Sequence, residues 1–124
     1  MRIYLAIAVG GIVGCWARYA MTNLVQTILG RDFPYATLSI NLLGAFLMGF
    51  LFIETLERLS VSPAVRTGIL TGVLGGYTTF STFAMETLLL VEQGAAVRAI
   101  LYVLLSVVGG FLAAFGGAYI ARNL

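Results

Sequence analysis

GVLGGYTTFSTF, residues 72–83, sets a glycine pair, a run of hydroxyls and two phenylalanines into the middle of a segment otherwise apolar enough to cross a bilayer. Lipid cannot hydrogen-bond backbone N–H and C=O groups, so non-helical backbone at membrane depth survives only where protein buries it or water reaches it. Freed carbonyls at a half-helix end are good cation ligands. A break here, expected within residues 75–79 and centred on the doublet Gly75-Gly76, therefore predicts an ion site or an ion pathway.

The rest of the chain supports a membrane setting. Its 124 residues are 60% apolar and 10% charged, with a mean hydropathy of +1.02, and so few charges cannot cover a water-soluble globule. Four apolar stretches follow one another, at about residues 3–29, 35–56, 63–93 and 95–120. Each is near or above the ~20 residues a helix needs to span the hydrocarbon core. As one straight helix the third would measure ~46 Å at 1.5 Å per residue, too long for a ~30 Å core without a tilt or a break. The expectation is an all-α integral membrane protein, a single domain of four transmembrane helices, the third broken. The first stretch has the flavour of a secretory signal but no clear small-x-small cleavage pattern, and it reads as a retained span.

Composition also narrows the chemistry. The chain has no His and no Lys, one cysteine (Cys15), and acids only at Asp32, Glu54, Glu57, Glu86 and Glu92. Neither a disulfide, nor a cysteine metal cluster, nor a nucleophile–base pair can be assembled within one subunit, so an enzyme is not expected. The net charge of +2 is spread along the chain and forms no nucleic-acid patch.

Glycines recur inside the spans, including Gly10, Gly14, Gly44, Gly49, Gly110 and Gly117, and small residues allow the close helix contacts on which packing in lipid depends. The arginines divide almost evenly. With the N-terminus, second loop and C-terminus on one side of the membrane, that side holds Arg2, Arg58, Arg66 and Arg122, against Arg31 and Arg98 on the other, plus Arg18 if it reaches that far. So weak a bias permits insertion in both orientations, and opposed copies can pair about a twofold axis in the membrane plane.

Polar residues at depth are costly and mark function or packing. Arg18, between Trp16 and Tyr19, is either an interfacial anchor or a fixed positive charge that draws anions toward a pore or braces the broken helix by binding its carbonyls. Asn41 either joins helices through its amide or offers N–H donors to an anion. Phe80 and Phe83 share a helix face, as packing or as positive ring edges toward an anion. Thr82 stands beside them, Glu86 follows on the same stripe toward a vestibule, and Tyr102 and Ser106 pair on the fourth span. The set is hydroxyl, amide and aromatic edge. A proton-coupled transporter would need a titratable group at depth, so passive permeation of a small ion is the better reading. A small dual-topology multidrug exporter would need a carboxylate in the first helix, where there is none. A non-conducting accessory subunit would leave the 72–83 motif without an ion.

GGIVGCWARY at 10–19, TLSIN at 37–41 and GVLGGYTTFSTF at 72–83, leading to Glu86, resemble the Fluc fluoride channels, also called CrcB proteins, over essentially the whole chain. That resemblance implies a bacterial inner-membrane channel, an antiparallel dual-topology homodimer passing fluoride outward passively. It implies a structural sodium ion held by the backbone carbonyls of Gly75 and Thr78. It further implies a fluoride path along Asn41, Phe80, Phe83, Thr82, Tyr102 and Ser106, with Arg18 and Glu86 near a vestibule.

Overall fold

A computed structural model describes all 124 residues and contains helices and connections only. Helix α1 (Arg2–Leu29) ends at Gly30, whose positive φ of 79° suits a residue without Cβ and whose N–H returns to the Gln26 carbonyl. Pro34 then restarts the chain. Helix α2 (Tyr35–Ile53) widens into a π-helical turn, Glu54–Arg58, before the polar connection. Ser62 caps α3 (Pro63–Thr67) by accepting the Val65 N–H, with Pro63 in the first helical position where its missing donor is harmless.

The next seven residues, Gly68–Leu74, are π-helical and lead into the short α4 (Gly75–Tyr77). After an interruption at Thr78-Thr79 come α5 (Phe80–Glu92), a reversal through Gly94 at φ 77°, and α6 (Ala96–Arg122). Three helices are long and apolar enough to cross a membrane: Arg2–Leu29, Tyr35–Arg58 and Ala96–Arg122. The remaining apolar stretch is assembled from pieces.

The break falls later than the glycine doublet suggested. Gly75 is helical, with φ −64° and ψ −38°, and the backbone becomes extended only at Thr78 and Thr79. The doublet acts through its missing side chains instead. A Cβ at Gly76 would sit 3.0 Å from the Gly11 carbonyl oxygen, so α4 lies directly against the backbone of α1. Gly10, Gly14, Gly68 and Gly72 make the same contact from both sides, and a Cβ on Gly14 would fall on the Val73 carbonyl. In lipid such contacts supply the dispersion that hydrophobic exclusion cannot.

Helices α2 and α6 are joined in the same manner, Gly49 against the Ala114 carbonyl and Gly117 against that of Phe46. Gly14→Val is therefore expected to separate α1 from the broken segment, at a cost of roughly 1–3 kcal/mol for overpacking. A lowered thermal aggregation temperature of the detergent-purified protein, read by gel filtration after heating, checks it.

Only 22 of the 124 residues are buried, and large apolar side chains such as Ile12, Leu24, Leu105 and Phe115 stay exposed. One chain thus covers little of its own apolar surface, and lipid or further protein must cover the rest. The compact part of the core is Phe83 and Leu90 of α5 against Ala99 and Tyr102 of α6, with Phe33 of the α1–α2 connection laid over them.

Candidate ion pathway at the broken helix

Local chemistry closes both stumps of the broken helix. The Thr78 N–H and Oγ1 both donate to the Leu74 carbonyl, at 3.0 and 2.9 Å, ending the upstream piece. Thr79 caps the downstream piece: its Oγ1 accepts the Thr82 N–H at 3.2 Å and donates to Thr82 Oγ1 at 3.0 Å. Asn41, thirty-eight residues earlier on α2, holds the extended backbone between them. Its Oδ1 accepts the Thr79 N–H at 2.8 Å and its Nδ2 donates to the Thr79 carbonyl at 3.0 Å.

The break takes the helical donors from the carbonyls of residues 75–78, and at two of them the donor is held by a side chain instead. In a continuous α-helix the Thr79 N–H would serve the Gly75 carbonyl, but Asn41 takes it. The Thr82 N–H would serve the Thr78 carbonyl, but the Thr79 hydroxyl takes it. Gly75 is exposed, and a Cβ there would meet only the Leu70 oxygen, at 3.9 Å, so the space beside it is open.

Around the break the candidate residues divide between two cavities. A groove of about 510 Å³ is lined by Asn41, Thr78, Phe80, Phe83 and Ser106, with Gly44 and Gly110 along its walls. A more polar cleft of about 370 Å³ is lined by Arg18, Thr22, Gln26, Thr37, Thr82 and Glu86. Thr79 borders both. A line of contacts runs from one to the other. The Phe80 and Phe83 rings meet edge to face at 5.7 Å, Phe83 meets Tyr102 at 5.1 Å, and the Tyr102 hydroxyl donates to Glu86 Oε1 at 3.1 Å.

Burial distinguishes these residues. Phe80 is 79% exposed whereas Phe83 is 9% exposed, and Tyr102 is fully buried. Ser106 Oγ is buried without a hydrogen-bond partner and borders the groove, a donor left uncommitted. Arg18 is half-buried, and its guanidinium forms neither an ion pair nor a hydrogen bond within the chain, so it does not brace the freed carbonyls. No group of three or more His, Cys, Asp or Glu side chains is placed to bind a metal.

The reciprocal clamp between Asn41 and Thr79 gives no local sequence signal, because its partners belong to different spans. The Thr79 cap was legible in principle, as a threonine three residues before another hydroxyl at the start of an apolar run.

A family profile described as "CrcB-like protein, Camphor Resistance (CrcB)" matches residues 5–118. The chain belongs to the CrcB family. It is 61% identical over 117 residues to a protein of Acidithiobacillus ferrooxidans (strain ATCC 53993 / BNL-5-31), covering 94% of each chain. It is 47% identical over 116 residues to one of Magnetococcus marinus, again 94% of each, and 43% identical over all 124 residues to one of Citrifermentans bemidjiense, the full length of both. All three carry the name fluoride-specific ion channel FluC. Membership in this CrcB family and the three long apolar helices make the chain a multi-pass membrane protein of bacterial type.

Proposed function

We propose that this CrcB protein is a fluoride-selective channel that lets fluoride leave the cell passively, and that two antiparallel copies form the conducting unit. The observation that carries the reading is the convergence of uncharged donors on the break. Asn41, Ser106 and the Phe80–Phe83 pair border one groove, and Thr82 borders the cleft behind it.

Fluoride is small and holds its water tightly, so a selective path must substitute donors for that water while binding weakly enough to release the ion. Hydroxyls, an amide hydrogen and the positive edges of aromatic rings meet both demands. The Tyr102 hydroxyl, turned toward Glu86, keeps that carboxylate hydrogen-bonded at the vestibule side.

Pairing of copies is supported by what one chain leaves uncovered at depth: the open side of Gly75. The near-even arginine distribution favours opposed orientations. The carbonyls of Gly75 and Thr78, deprived of their helical donors, fit a sodium ion by number and kind, since a twofold would supply each of them twice. When bound, such an ion supplies fixed positive charge that offsets the converging carbonyl dipoles.

Purified protein in liposomes loaded with potassium fluoride is the test, with a fluoride electrode recording efflux. Fluoride should leave at a rate proportional to protein while chloride-loaded vesicles stay silent. Absence of protein-dependent fluoride efflux would refute the channel, and proton-driven uptake of an organic cation instead would establish the exporter.

A further inference from the structure

Gln26 lies one turn before the end of α1, half-buried, and its side chain forms no hydrogen bond within the chain. It borders three adjoining cavities. One is the polar cleft of about 370 Å³ that reaches Thr79 and Thr82 at the break. The second is a mouth of about 160 Å³ where Arg31, Asp32 and Glu86 meet the α1–α2 connection. The third, about 340 Å³, is walled by Asn23, Thr27 and Arg31. Gln26 is the residue common to all three, and Glu86 is the only other shared by the mouth and the cleft.

The charges around it set a problem for an anion. Arg31 lines the mouth and Arg18 the cleft, and the Glu86 carboxylate borders both, so an anion moving from one to the other meets it. A second fixed cation at the junction would hold the ion, and an apolar side chain would leave it facing the carboxylate with no donor beside it. A neutral amide supplies N–H donors without a net charge, and its oxygen can accept from water that remains with the ion.

We propose that Gln26 is the first contact to replace water around the permeating anion, a specificity-determining residue at the junction of mouth and cleft. This rests on the fluoride-channel reading. A glutamine one turn from a helix end is often only an interfacial polar residue; the empty hydrogen-bond capacity and the three shared cavities set this one apart.

Gln26→Leu, Gln26→Glu and Gln26→Lys, compared with the unmutated chain in fluoride-loaded liposomes, test it. The leucine variant should lose flux by roughly tenfold, as expected when a dehydrating donor is removed. At low ionic strength the lysine variant should exceed the glutamate variant by roughly tenfold, and an impermeant salt near ~1 M should reduce that ratio to about twofold, because screening then acts within ~3 Å. A side chain needed only for packing would not give a salt-dependent ratio between the two charged variants.

Equal flux for Glu and Lys at all salt concentrations, or leucine flux equal to the unmutated rate, overturns the assignment. Should the leucine variant fail to elute as intact protein, the charged pair decides alone. If the unmutated chain itself moves no fluoride, the channel reading falls and this inference with it; an active unmutated chain with indifferent Gln26 variants refutes the inference alone.

Discussion

Phe80→Ile is expected to cut fluoride efflux by on the order of 100-fold while leaving the protein folded and its oligomeric state unchanged. The ring stands 79% exposed on the single chain, so its removal takes little from the core of one copy. What disappears is the positive ring edge at the groove, with side-chain volume only partly reduced. A contact whose loss raises the barrier by about 2.7 kcal/mol accounts for two decades in rate. Phe83→Ile should reduce flux as strongly but with an added stability cost. Phe83 is buried and packs edge to face on both Phe80 and Tyr102, contacts worth ~0.5–1.5 kcal/mol each beyond their area. Gel filtration beside electrode-recorded efflux separates the two effects. A Phe80→Ile protein that conducts at the unmutated rate would return the ring to a packing role.

The contrast between these two phenylalanines shows where sequence reading stopped. Spacing put both on one helix face, but i, i+3 geometry carries no information on which of two neighbours turns toward α6 and which toward the groove. The apolar spans were legible because hydrophobic length is a property of each segment alone. Capping by Ser62 and Thr79 was likewise local, within three residues of each bond.

The doublet Gly75-Gly76 was legible as special but not as to why. Glycine permits either unwinding or close approach, and only the position of α1, which brings the Gly11 carbonyl to within 3.0 Å of where a Cβ at Gly76 would lie, selects the second. The π-helical run Gly68–Leu74, whose Gly68 and Gly72 backbones lie against Ala6 and Gly10 of another helix, had no local sequence signal. The division of the polar residues between groove and cleft also depends on how whole helices are set beside each other.

Asn41→Asp is expected to lower both flux and stability, and Asn41→Leu to lower stability further. Aspartate can still accept the Thr79 N–H but cannot donate to the Thr79 carbonyl, and it sets a negative charge where the amide nitrogen stood 3.0 Å from that oxygen. On an anion path that charge should reduce efflux by on the order of 100-fold, again about 2.7 kcal/mol of barrier. Leucine leaves the Thr79 N–H and C=O both without partners, at ~1–3 kcal/mol for each buried group.

The leucine variant has a further consequence. With Asn41 gone, the Thr79 N–H is free to seek the Gly75 carbonyl, the partner a continuous helix would give it, and the break loses the bond that holds it extended. A carbonyl recaptured in this way is no longer available to a cation. Asn41→Leu should thus weaken any dependence of thermal stability on sodium, measured as the shift in aggregation temperature between sodium and a large organic cation. A variant that melts lower yet keeps the full sodium shift would show that Asn41 holds α2 to Thr79 without governing the freed carbonyls.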